Sequence, residues 1–286
     1  MSRRRTPYFL LAPGLAWLLV FFAIPMAFMA YISLNSGSLA EGFSFTANFQ
    51  NFADAVTDYG TQFRRSFTYA GAATVLALLI AYPLSYAIAF RGGRWKTALL
   101  FIVVAPFFTT YLIRTLAWQT ILADEGQFVD LLKTIGLVAD DGEVLDTSAS
   151  VIAGLTYNFL PFMILPIYAS LESIDERLIE AAKDLYASSR TAFFRVTLPL
   201  SAPGVIAGTL LTFIPAAGDY INADFLGGAG QQMIGNVIQN LYIDVRDYPL
   251  AAALSFVLMA VILVLVLIYI RFAGSEALVG EESERE

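Results

Sequence analysis

The stretch EAAKDLYASSRTAFFRVTLPLS, Glu180–Ser201, is a charged island between strongly apolar neighbours. It carries Glu180, Lys183, Asp184, Arg190 and Arg195, while the residues before and after it form long apolar runs. Glu180–Leu185 are good helix formers and predict a short amphipathic helix with Ala181, Ala182 and Leu185 toward one side. Leu198-Pro199-Leu200 then marks the return to apolar sequence. Such an island reads as a water-facing loop of a chain that otherwise lies in a membrane.

Composition agrees. The 286 residues are 58% hydrophobic and 14% charged, with a mean hydropathy of +0.67, too apolar for a soluble domain. A spanning helix needs roughly 20 apolar residues at about 1.5 Å rise each. Six stretches qualify, at about 8–34, 67–90, 98–122, 150–171, 201–220 and 250–272. The expected fold is therefore an all-α integral membrane protein, one domain over 1–286 with six transmembrane helices. A polar loop at 172–200 and an acidic, disordered tail at 273–286 complete it. Arg3, Arg4 and Arg5 precede the first apolar run, which is longer than the signal-peptide core of about 7–15 residues and so reads as a retained helix. A twin-arginine signal is the weaker reading, since the other spans already demand insertion.

Lys and Arg set the orientation. With the N-terminus inside, the inner segments hold 12 of the 17 basic residues and the outer segments 4, with Arg114 inside the third span. That bias places both termini in the cytoplasm and the Glu180 loop with them. The chain has no Cys and no His, so disulfides, Cys- or His-based metal sites and the commonest general base are excluded. A net charge of −7 gives no basic footprint for nucleic acid. Membrane lipid is the expected surrounding, and neither a catalytic nor a metal site is expected.

Charged and aromatic residues near the spans are candidates for a functional site. Arg114 inside a span is costly and functional by default, although it lies close enough to the outer end to snorkel or to pair with a carboxylate. Asp219-Tyr220 and Asp224 lie where the fifth span meets the outer surface, and a capped helix end explains them as well. Tyr111 and Trp118 on the third span offer faces for a cation, or belong to an interfacial aromatic belt. The outer segments carry 14 acids against 4 bases, a balance that favours a cationic substrate or a basic docking partner. Pro161 and Pro166 predict an irregular fourth span lining a cavity. Gly204, Ala207 and Gly208 permit close helix approach in the fifth. Phe43, Phe45, Phe49 and Phe52 read as packing.

The charged island also carries a resemblance. Glu180-Ala181-Ala182 followed by Val196-Thr197-Leu198-Pro199 is similar to the EAA loop of ABC-importer permeases, with one departure, since the Gly of that pattern falls on Tyr186. Tyr82-Pro83-Leu84-Ser85-Tyr86, 106–118, 160–166, 213–228 and 234–249 resemble further blocks of the spermidine/putrescine branch. The resemblance implies a type I importer permease (MetI-like) fold in the bacterial inner membrane. It also implies an ABC ATPase dimer that binds ATP and Mg, a second homologous permease and an extracytoplasmic solute-binding protein. Glu180, Ala181, Ala182, Asp184, Tyr186, Leu198 and Pro199 would then couple to the ATPase. No Gly-rich loop ending in Gly-Lys-Ser/Thr occurs in the chain, so ATP hydrolysis is expected on another polypeptide and the chain itself is no enzyme. The alternatives are an ABC permease for another small solute and a secondary transporter driven by an ion gradient. The latter typically carries mid-span carboxylates and internal repeats, neither of which is evident. A membrane zinc protease lacks its usual ligands.

Overall fold

The structure, a computed structural model, describes residues 6–136, 138–139 and 142–273. Arg3–Arg5, the acids Asp140 and Asp141, and the acidic tail from residue 274 onward lie outside the described residues. Four helices are long and apolar enough to cross a membrane: Leu11–Ser33, Gly60–Arg91, Ser148–Glu172 and Tyr248–Phe272. Two bent pairs bring the number to six when each is one span, Gly93–Phe108 with Tyr111–Leu122 and Ser189–Leu200 with Ala202–Ala217. Each of the six apolar stretches of the sequence corresponds to one of these.

The third stretch differs most from a simple span, because its two helices meet at 94°. Pro106 opens a tight 3-10 turn, Ala105–Phe108, and Thr109 and Thr110 are both extended (ψ 140° and 147°), which redirects the chain. The fifth bends by 59° at Ser201, where Pro199 and Pro203 lack the amides that a continuous helix would use. The fourth departs in the opposite sense. Despite Pro161 and Pro166, Ser148–Glu172 is one uninterrupted α-helix, so the expected irregularity is absent. It is also the most buried of the long helices, although Phe162 and Leu165 remain exposed, and packing along its buried face keeps it helical through both prolines. Thr147 caps it, accepting from the Ser150 amide while the Ser150 hydroxyl accepts from the Thr147 amide.

The chain packs as two compact units, residues 1–61 with 237–260 and residues 62–236 with 261–286. In the first unit, the apolar window of Leu11–Ser33 has no buried residue, and a π-turn at Leu19–Ala23 interrupts the helix just before Pro25. An antiparallel hairpin, Asn35–Ser38 with Gly42–Phe45, follows where the sequence suggested no strand. It places Phe45 in a stack on Tyr31 (5.1 Å) and Phe43 beside Tyr248 (5.6 Å), whereas Phe49 stays exposed. Asn51 donates to the Ser33 and Asn35 carbonyls and fastens the hairpin to the end of the helix.

The second unit holds the main core. Ala70, Ala73, Ala77 and Ala81, spaced three or four apart, form a fully buried face of the second span. Val151, Leu155 and Phe159 of the fourth span join Ala70 and Ala73 in one cluster, and Met163, Ile164, Ile167 and Leu171 join Ala77 and Ala81 in another. The fifth span lies directly on the fourth. A Cβ on Gly204 would stand 2.5 Å from the Pro166 carbonyl oxygen, and one on Gly208 2.9 Å from the Met163 sulfur. Both glycines therefore serve the close approach that their spacing suggested.

Candidate functional sites: the charged segment and a buried polar cluster

The charged segment folds as two helices around a tight turn. Asp175 caps the first helix, Glu176–Asp184, by accepting from the Arg177 amide at 2.9 Å. Ser188 caps the second, accepting from the Thr191 amide at 3.2 Å. The turn between them has the double closure of a Schellman motif: the Tyr186 amide donates to the Lys183 carbonyl at 2.9 Å and the Ala187 amide to the Ala182 carbonyl at 3.1 Å. Tyr186 itself sits at φ +60°, the left-handed conformation that a Gly would adopt without strain. The bend at this position is thus retained although the residue has changed.

One side of this segment is anchored and the other is free. Ile174 is buried in the core cluster of the second and fourth spans, with Ile179 packed against it. Phe193 meets the rings of Tyr82 (5.8 Å) and Tyr86 (5.9 Å) edge-on, and Ala192 is buried. Lys96 pairs with Glu172 at 2.9 Å just before the segment, the one ion pair among the described residues. Glu180, Ala181, Lys183, Asp184, Leu185 and Tyr186 are all exposed, and so is Pro199, while Leu198 is half-buried. Leu185, expected on one side of the helix with Ala181 and Ala182, lies just past its end at Asp184 and is 82% exposed.

A second set of residues forms a buried polar cluster in the same unit. The Tyr111 hydroxyl donates to the Asp219 carboxylate and accepts from the Asn222 amide. Asp219 also accepts from the Asn222 backbone amide at 2.8 Å, and Asn158 donates to Asn222 at 3.0 Å and to Thr115 at 3.3 Å. These bonds tie the helix Tyr111–Leu122, the fourth span and the short helix Ile221–Leu226 together. Among the described residues Arg114 pairs with no carboxylate. It is only 9% exposed, and its guanidinium lies over the rings of Phe107 (4.9 Å) and Tyr111 (5.5 Å), a cation–π arrangement that accommodates a charge inside the fold. One face of Tyr111 is thus already occupied by the chain's own cation.

The sequence candidates therefore separate. Tyr111, Arg114 and Asp219 come together; Trp118 instead packs edge-on against Tyr157 at 5.4 Å. Asp219 is 8% exposed, its neighbour Tyr220 is 40% exposed, and Asp224 is exposed beyond it, so the adjacent pair splits between interior and surface. Sequence reading missed Asn158, Asn222 and Gly235 as parts of this arrangement. The two asparagines are neutral and do not register as charges in a span, yet both are almost fully buried. Gly235 is required by close approach: a Cβ there would stand 2.7 Å from the Gly218 oxygen and 2.8 Å from that of Asp219.

The family model described as "Binding-protein-dependent transport system inner membrane component" matches residues 5–278. The chain belongs to that family. This inner membrane component is 36% identical over 257 residues to the spermidine/putrescine transport system permease protein PotB of Haemophilus influenzae, covering 90% of each chain. Its fold is similar to that of a bacterial ABC transporter involved in the import of the acidic polysaccharide alginate, with a TM-score of 0.67 at 20% identity over 93% of this chain and 94% of that one. It is likewise similar to the MetNI methionine ABC transporter, with a TM-score of 0.57 at 15% identity over 74% and 93%. The all-α, MetI-like permease fold expected from the loop pattern is the fold observed, and the chain is a transport component rather than an enzyme.

Proposed function

We propose that this chain is a permease subunit of an ATP-driven importer that carries polyamines, spermidine and putrescine, across the bacterial inner membrane. The observation that carries the reading is the 36% identity to a spermidine/putrescine permease over 90% of both chains. The excess of 14 acids over 4 bases in the outer segments supports it, since the surface that meets a polycation first is strongly negative. In this reading the chain is one membrane domain with both termini in the cytoplasm, in line with 12 basic residues on that side. It pairs with a second homologous permease on an ATPase dimer that binds ATP and Mg, and an extracytoplasmic binding protein delivers the substrate.

The exposed face of Glu180–Pro199 docks on the ATPase, with Glu180, Ala181, Ala182 and Asp184 on the contacting side. ATP favours the closed ATPase dimer, and closure shifts the permeases between outward- and inward-open states because it has different affinity for the two. Exposed Tyr220 and Asp224 present a ring and a carboxylate to the polycation, while Asp219, Tyr111, Arg114 and Trp118 shape the wall behind them. The test is uptake of labelled spermidine or putrescine by vesicles containing both permeases, the ATPase and the binding protein. Import of either amine is expected. Import of a neutral or anionic solute instead, with neither amine carried, rejects the substrate.

A further inference from the structure

Tyr186 stands apart from every other aromatic residue of the chain. Among the described residues, four non-glycine positions have positive φ: Ala47, Asp146, Tyr186 and Arg246. Tyr186 is the aromatic one, and a bulky side chain in the left-handed region is a genuine outlier. Glycine at this position would remove the strain, and asparagine would lessen it. Packing within the chain does not offset the strain either, because the side chain is 99% exposed and Leu185 beside it is 82% exposed. Two consecutive large apolar residues thus stand out from a segment whose opposite face is anchored by Ile174, Ile179 and Phe193. The Schellman closure around them holds the pair at the tip of a defined turn rather than on a loose loop. Strain kept at an exposed aromatic points to a contact made outside the chain.

We infer that Tyr186, with Leu185 at its flank, is an anchor that seats in an apolar pocket of the ATPase subunit. The inference rests on the reading of Glu180–Pro199 as the ATPase-docking face, and it adds a residue-specific contact at the position where the family pattern has only a turn. A Gly there supplies the bend alone, whereas Tyr supplies the bend and a ring. The permease is therefore matched to an ATPase with a complementary pocket. An ATPase whose surface was shaped for the glycine turn would fit it poorly.

The experiment measures ATPase binding to vesicles that carry the two permeases, by co-sedimentation, for Tyr186→Asn, Tyr186→Gly and Tyr186→Phe. Asn and Gly both accept the left-handed turn and lack the ring; Phe keeps the ring. Asn and Gly should weaken binding at least tenfold, with the permease melting at the same temperature or higher, and Phe should stay within threefold of wild type. Wild-type affinity in the Asn and Gly variants overturns the anchor, whether the ring then lies in lipid or in water. Glu180→Lys separates this failure from failure of the docking reading. If Glu180→Lys uncouples ATP hydrolysis from uptake while the Tyr186 variants bind normally, the docking face stands and the anchor falls. If Glu180→Lys also leaves coupling intact, both fall.

Discussion

The buried polar cluster and the charged segment are opposite solutions to placing polar groups in one apolar chain. Around Asp219, most polar groups meet another within the fold, carboxylate with phenol, phenol with amide, amide with amide, while the buried Asn158 Oδ1 and Arg114 Nε have no partner among the described residues. Around Glu180 the charges face outward, and the sole ion pair nearby, Lys96 with Glu172, lies before the segment begins. The first arrangement is bonded largely within itself, Asn158 Oδ1 and Arg114 Nε excepted, and ties helices together; the second is left open and adds little to the fold. Substitutions in the two regions should therefore separate stability from coupling.

The largest effect on stability is expected for Asn222→Ala. It removes the amide that serves Tyr111, Asp219 and Asn158 together, and leaving buried groups unpaired costs on the order of 2–4 kcal/mol. Thermal unfolding in detergent should show a clearly lowered midpoint. A midpoint equal to wild type would mean that the cluster does not hold the helices together. Asp219→Asn comes next. It keeps the shape and an acceptor for the Asn222 amide but discharges the bond from Tyr111, for about 1 kcal/mol. Assembly should persist while polyamine uptake falls, and unchanged uptake removes Asp219 from the path. The smallest effect on stability belongs to Glu180→Lys, an exposed substitution expected to stay within about 0.5 kcal/mol. A large drop in its melting midpoint would erase the contrast between the two regions.

The parts of this molecule that were legible in the sequence are those governed by hydropathy and by local pattern. The six apolar stretches stand out because each is long enough to satisfy its backbone only as a helix in lipid. The left-handed turn at Tyr186 was not legible, since a tyrosine in place of the pattern's glycine argues against the bend that the structure keeps. Gly204 and Gly208 announced close helix contact by their spacing. The break at Thr109–Thr110 was hidden, since a hydropathy window sums across it and neither threonine forbids a helix. The unbroken helix of the proline-bearing fourth span was hidden for the converse reason: packing along its buried face, a tertiary effect, overrides a local signal. Asp219 was visible as a carboxylate at a boundary, but its inward direction depends on Tyr111 and Asn222, which come from elsewhere in the fold.

The bend in the third span also bears on how the chain is made. The helix Tyr111–Leu122 has 12 residues and rises about 18 Å, too short to cross a hydrocarbon core of about 30 Å by itself. As the nascent chain leaves the ribosome, the two halves must therefore enter the bilayer as one unit. The partners that fasten Tyr111–Leu122, namely Asn158, Asp219 and Asn222, lie downstream in the sequence and are synthesised later. The cation–π contacts of Arg114 with Phe107 and Tyr111, by contrast, need only residues close by in the sequence. The hydrogen bonds that hold Tyr111–Leu122 in place are thus completed only by residues from the second half of the polypeptide.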